Sequence, residues 1–182
     1  SLYRLEYYTT DPWDNLTIPS GVLAIPGGAD QNYPIISFQL RTVINRTSVA
    51  SENGFDLISL WLGGRGNVTV IPDFLGLGIS QIFHPYMVSR PSATAVVDMI
   101  RASKYLCDSL NVSLSGQLFL AGYSEGGYVT MAAHKYIEEE LSSELTVTAS
   151  APCAGPYDLS SVMLNLMLTP EPYGQPNYLP YT

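Results

Sequence analysis

From residue 35 onward the chain alternates short apolar or β-branched runs with stretches of helical spacing, and few architectures accommodate that alternation. Pro34 opens Ile35 to Leu40, whose near-continuous apolar character suits a strand covered on both faces. Phe55 to Leu62 predicts a short helix stopped by Gly63-Gly64, and Val68 to Ile71 a β-branched strand stopped by Pro72. Pro91 stands where a first helical position is expected, and Ala95, Val96, Met99, Ile100 and Leu106 keep helical spacing up to a stop near Asn111. Then come a short strand, Gln117 to Ala121, a glycine-rich turn, Gly122 to Gly127, a helix, Tyr128 to Leu141, and a strand, Leu145 to Ala149. This order predicts an α/β architecture: a mostly parallel, twisted sheet with helices on both faces. Ahead of it, Leu2 to Thr9 and Leu16 to Ile25, parted by Asp11-Pro12 and Asn15, read as an antiparallel pair.

A length of 182 residues with 46% apolar content suffices for one domain with a genuine core. The net charge is -8, and no Lys/Arg cluster interleaves with aromatics, so no nucleic-acid partner is expected. No apolar run approaches the about 18 to 20 residues of a spanning helix, so no transmembrane segment is expected either. No carboxylate pair or cluster with metal-ligand spacing occurs, and neither a metal nor another cofactor is called for. Cys107 and Cys153 leave open a single bridge or two buried thiols. Four N-x-S/T sequons begin at Asn15, Asn45, Asn67 and Asn111, where chance gives roughly one, which favours a secreted or otherwise exported protein. Turn-rich sequences also collect Asn and Ser/Thr, which weighs against that reading. The chain opens on Ser1 with no visible signal peptide, which fits a processed or trimmed N-terminus.

The segment that carries chemistry is Gly122-Tyr123-Ser124-Glu125-Gly126, a G-x-S-x-G pattern followed by Gly127. Its placement matters more than its composition, because Ser124 falls between an apolar strand and the following helix, the context the motif demands. A residue on so sharp a turn occupies a strained backbone, and neighbours without Cβ let strand and helix approach. Ser124 is therefore the candidate nucleophile. It lies at a helix N-terminus, whose free N–H groups and positive dipole end can stabilise an oxyanion, with the Glu125 backbone N–H best placed to donate.

Together with Pro72-Asp73-Phe74-Leu75-Gly76-Leu77-Gly78 after a strand, His84-Pro85-Tyr86 ahead of the long helix, and Tyr157-Asp158-Leu159 after a later strand, this motif resembles the secretory lipase and esterase branch of the α/β-hydrolases. The resemblance extends over nearly the whole chain. It implies the α/β-hydrolase fold and ester hydrolysis through a Ser-Asp-His triad, by an exported enzyme acting on acyl esters such as glycerides or esters of plant polymers. Where relatives often place a His-Gly-Thr-like segment after the third strand, this chain reads Leu40-Arg41-Thr42, so Thr42 is the candidate second oxyanion donor through its backbone N–H. Residues 1–168 then form the N-terminal part of a hydrolase domain, and the Pro- and Tyr-rich residues 169–182 begin a lid, cap or linker.

In this fold the acid and the base follow the serine in the chain. His134, the one histidine after Ser124, lies ten residues along the same helix, too far along its rise to turn back, and reads as a surface or packing histidine. His84, on a loop beside Pro85, reads as ordering that loop rather than as a base in an altered order. Asp158 reads as a turn-capping carboxylate and Asp73 as a loop-ordering acceptor of backbone N–H bonds. The sheet is thus expected to be incomplete on its C-terminal side, with acid and base supplied by polypeptide outside these 182 residues, in the same precursor or a separate chain, and with little activity from this segment alone. Two other classes fit the same residues: a non-catalytic binding module that kept the fold, and a peptidase or acyltransferase on the same scaffold.

Overall fold

A computed structural model of the chain describes residues 1–28, 32–53, 61–170, 172 and 174. Strands β1 (Leu2–Glu6), β4 (Ser20–Ala24), β5 (Tyr33–Gln39), β6 (Val68–Pro72), β7 (Leu114–Tyr123) and β8 (Ala149–Cys153) form one sheet, while β2 (Thr9–Thr10) and β3 (Leu16–Thr17) pair in a ribbon of their own. The order across the sheet is β1-β4-β6-β5-β7-β8. β1 and β4 join antiparallel at one side, and β6, β5, β7 and β8 run parallel. The predicted antiparallel pair is present, but each of its runs divides: β1 and β4 enter the large sheet with Leu2 opposite Ala24, and β2 and β3 leave it.

Helices α1 (Ala50–Asn53), α2 (Ser89–Ser109) and α3 (Glu125–Glu140) follow β5, β6 and β7, and a π-helical turn (Leu159–Met163) leads into α4 (Leu164–Met167). Successive strand residues point to opposite faces, and the core divides accordingly. Leu23, Ile35, Val70 and Leu120 pack under α2 and α3, against Val96, Met99, Ile100, Val129 and Ala133. Val22 and Ile71 face the other way, toward Ala50 of α1 and the half-buried Phe38 and Leu40. Burying a Leu- or Ile-sized side chain stabilises by about 1.5–3 kcal/mol, so these interleaved layers hold the parallel strands in register.

Three boundaries differ from expectation. α2 starts at Ser89, so Pro91 is its third residue; a helix leaves its first four N–H groups unpaired, and a missing donor costs nothing there. α3 begins at Glu125, three residues before the predicted Tyr128, because the glycines of the turn already belong to its first turn. The last strand is Ala149–Cys153 rather than Leu145 to Ala149. The β-branched stretch is only its approach: Leu145 is buried as an anchor, and the Thr148 N–H donates to the Leu118 carbonyl at 2.8 Å before pairing starts at Phe119 opposite Ala149. Of the predicted helix Phe55 to Leu62, residues 54–60 lie outside the described ones, and residues 61–63 are helical. Of residues 169–182, only 169, 170, 172 and 174 are described.

Among the described residues β8 pairs with β7 alone, and its Ala149, Ala151 and Cys153 are exposed on the face away from α3. The sheet is incomplete on that side, as expected.

Candidate active site

Ser124 sits between the end of β7 and the start of α3 with φ 59° and ψ -121°, a left-handed φ that a residue with a Cβ rarely adopts. The neighbouring backbone holds it there. The Ser124 N–H donates to the Cys153 carbonyl at 3.0 Å, and the Ser124 carbonyl accepts from the N–H groups of Gly127 at 2.9 Å and Tyr128 at 3.2 Å. The turn is therefore pinned to β8 on one side and continued by α3 on the other.

Two glycines make this approach sterically feasible. A Cβ on Gly122 lies 2.2 Å from the Gly126 carbonyl oxygen, and a Cβ on Gly126 lies 2.0 Å from the Gln39 carbonyl oxygen and 2.5 Å from that of Leu40. Side chains at either position force strand and helix apart. The same contact places the Leu40 carbonyl, at the start of the segment after β5, against the first turn of α3. Thr42, two residues further on, is buried, with its Oγ1 3.3 Å from the Tyr86 hydroxyl.

Glu125 contributes a backbone N–H in the first helical turn, where α-helices leave donors without intrahelical partners. Its side chain, however, turns inward. It is 1% exposed, and Oε1 lies 2.8 Å from Nε2 of the buried His84. His84 Nδ1 is 2.7 Å from the Leu75 carbonyl, which only accepts, so Nδ1 carries a hydrogen and one further proton lies between Nε2 and Oε1. The His84 ring stacks on Phe74 and meets Tyr86 edge-on. Sequence reading placed His84 as a loop-ordering residue, and its bond to Leu75 does that. The link to Glu125 is not legible in the residues, because it follows from the burial of the Glu125 carboxyl, and a buried carboxyl requires a partner.

The remaining candidates have structural duties. Asp73 accepts from the Ser20 hydroxyl at 2.5 Å and from the Ser51 N–H at 3.3 Å, tying the loop after β6 to β4 and α1. Burial pushes its carboxyl above the ordinary value, and the Ser20 and Ser51 hydrogen bonds oppose that shift. Asp158 accepts from the Ser161 N–H and hydroxyl at the start of the π-helical turn, and these bonds hold its carboxyl below the ordinary value. His134 bonds through Nδ1 to the Ser150 hydroxyl at 2.8 Å and pairs with Glu138 one turn along α3. The two cysteines are not bridged: Cys107 is buried and Cys153 exposed. Among the described residues no group of three or more His, Cys, Asp or Glu side chains can hold a metal ion, and no helix is long and apolar enough to cross a membrane.

A mixed, mostly parallel sheet with a strained serine on the turn from strand into helix defines the α/β-hydrolase class. Within it, the chain belongs to the secretory lipase family, whose model matches residues 42–165. A protein of Legionella pneumophila assigned as a hydrolase is 38% identical, with a TM-score of 0.86 over 99% of this chain and 49% of its own. The rice cell wall degrading esterase LipA of Xanthomonas oryzae is 36% identical, with a TM-score of 0.81 over 87% of this chain and 43% of its own. A Rhizobium johnstonii protein that carries the name cystathionine beta-lyase is 28% identical over 158 residues, 79% of this chain and 35% of its own. That name denotes another chemistry, whereas the family model and both solved structures agree on a hydrolase. The chain spans about half the length of these solved relatives.

Proposed function

We propose that this chain carries the nucleophile and the oxyanion hole of an exported serine hydrolase that cleaves carboxylic esters, a lipase or carboxylesterase. The observation that carries this reading is the left-handed backbone of Ser124 on the strand-to-helix turn, within a chain of the secretory lipase family. Ser124 Oγ attacks the ester carbonyl, and the oxygen that becomes anionic is met by the Glu125 N–H, with the Thr42 N–H as second donor. These donors act where charge develops, so they lower the barrier rather than tighten substrate binding.

A general base must take the serine proton. His84 is held by Leu75 and Glu125, and His134 is held by Ser150 and Glu138. The acid and base are accordingly assigned to polypeptide outside these residues, which also completes the sheet beyond β8. The substrate class is acyl esters such as glycerides or esters of plant polymers, in keeping with the family and with the cell wall degrading relative. Export is supported by the family and by the four sequons.

The test is fluorophosphonate labelling of the full-length protein with peptide mapping, beside hydrolysis of p-nitrophenyl esters by wild type and Ser124→Ala. Labelling at Ser124 and loss of about 10⁴-fold or more in turnover for Ser124→Ala are expected. Labelling elsewhere, or turnover that survives the substitution, overturns the assignment.

A further inference from the structure

The segment from His84 to Met87 touches both walls of the proposed oxyanion hole. His84 Nε2 meets Glu125 Oε1 at 2.8 Å, Tyr86 OH meets Thr42 Oγ1 at 3.3 Å, and the Met87 carbonyl accepts from the Tyr128 hydroxyl at 2.7 Å. One short stretch is therefore bonded twice to the first turn of α3 and once to the loop after β5. It is itself firmly held. The Tyr86 N–H donates to the His84 carbonyl at 2.8 Å, the His84 ring is fixed by Leu75, and Gly76 packs so closely that a Cβ there lies 2.4 Å from the His84 nitrogen. The loop behind it is tied to β4 through the Asp73 N–H and the Ser20 carbonyl, and to the loop after β5 through the Gly78 N–H and the Arg46 carbonyl, both at 2.9 Å.

We propose that His84 and Tyr86 are positioning residues that together set the spacing of the two oxyanion donors, His84 through the Glu125 side chain and Tyr86 through Thr42. The physical case rests on what Glu125 otherwise lacks. Among the described residues its Oε2 is buried without a hydrogen-bond partner, and the bond to His84 is the polar restraint they place on a side chain whose own N–H is the primary donor. A buried carboxyl group is costly unless it is bonded, so the bond to His84 is what makes its burial tolerable. The bond restrains the residue adjacent to the nucleophile in rotation about its Cα, which is the motion that swings the donor N–H off the oxyanion. On the far wall, Thr42 stands two residues after Leu40, whose carbonyl approaches Gly126, and the Tyr86 hydroxyl holds its side chain.

This inference rests on Ser124 being the nucleophile, and the experiment separates the two. In the full-length protein, Tyr86→Phe, Glu125→Met and Glu125→Gln are compared with Ser124→Ala, with active enzyme counted by fluorophosphonate titration and folding followed by thermal melting. Because oxyanion donors act on the transition state, Tyr86→Phe is expected to lower kcat about tenfold, and Glu125→Met about 100-fold, with KM within about twofold. Affinity for an alkyl boronic acid, whose adduct is tetrahedral, is expected to fall in parallel with kcat. Glu125→Gln, which can donate to a neutral His84 Nε2, is expected to recover at least about tenfold of the Glu125→Met loss. A role confined to folding changes the melting temperature and the titratable fraction but leaves kcat per active site and boronate affinity at wild-type values, and that result overturns the proposal. So does a Glu125→Gln enzyme no better than Glu125→Met. If Glu125→Met does not fold, Tyr86→Phe, which deletes one oxygen, decides alone. Turnover that survives Ser124→Ala rejects the nucleophile assignment instead.

Discussion

Replacing Gly126 with alanine places a methyl carbon 2.0 Å from the Gln39 carbonyl oxygen and 2.5 Å from that of Leu40, where Cβ atoms essentially never come within 3.0 Å. Both obstacles are backbone, so no side chain can swing away, and the start of α3 has to retreat from the end of β5 by about an ångström. Forced overpacking of this kind costs about 1–3 kcal/mol. For a protein of this size or larger, that lowers the melting temperature by roughly 2 to 12 °C. The same retreat carries the Glu125 N–H away from the oxyanion, and a displacement of about 1 Å at a reacting centre costs about 10²-fold in rate. The assay is thermal melting together with kcat per titrated active site, on Gly126→Ala and on Gly27→Ala as control, since a Cβ on Gly27 meets nothing within 4 Å. The control is expected to match wild type. A Gly126→Ala enzyme that also matches it in both measurements refutes the claim that this contact sets the site.

Cys107 is fully buried, and burial pushes its thiol from 9.0 up to about 11. It is expected to resist iodoacetamide in the native protein and to react on denaturation, and peptide mapping reads this directly. Because the unfolded chain ionises first, stability contributed at this site is intact below 9.0 and declines as pH rises toward about 11. A Cys107→Ala variant is expected to lose that alkaline slope in urea titrations. Asp73, raised by burial, has the same sign at acid pH: the folded state takes up the proton first, so this site gains stability as pH falls through the raised value toward 3.8. Asp73→Asn is expected to flatten that part of the pH profile, and an unchanged profile counts against a buried carboxylate. Asp158, held low by Ser161 on an exposed turn, behaves oppositely: its cap is present above 3.8 and lost as pH falls through the lowered value. Asp158→Ala is expected to speed amide exchange at Ser161 and to leave the global melting temperature unchanged. The isolated 182-residue chain, with the β8 edge and Val162, Leu164, Leu166 and Leu168 exposed, is expected to self-associate. A monomeric elution profile at high concentration contradicts this.

Much of the architecture is local and was legible in the residues themselves. Ile35, Val68 and Leu118 lie in runs that a buried parallel strand requires, Val96 to Ile100 keep the period of a helix against a sheet, and Gly122 to Gly127 mark a turn too tight for side chains. Those signals come from propensity and periodicity, which act over a few residues, and they suffice for an α/β sheet with a serine at its strand-to-helix turn. What local signals misplaced were positions set by distant neighbours. The Thr146-Val147-Thr148 run has the stronger β preference, yet pairing begins at Ala149, because the register is decided by β7.

The site divides along the same line. Ser124 and the Glu125 N–H are neighbours in the chain, so a five-residue motif suffices to propose both. Thr42, Tyr86 and His84 lie between 38 and 82 residues upstream of the serine and reach it only when β5, β6 and β7 stand side by side. No pattern in the chain says that the Glu125 side chain points inward rather than into solvent, since both orientations are open to a residue in the first turn of a helix. Packing of α3 against β5 and the loop after β6 closes one of them, and the desolvated carboxyl then has to find a partner. The sequence alone therefore determined which residues are candidates for the proposed chemistry, and only the tertiary structure decided what holds them, because a buried polar group takes its partner from whatever the fold brings to it.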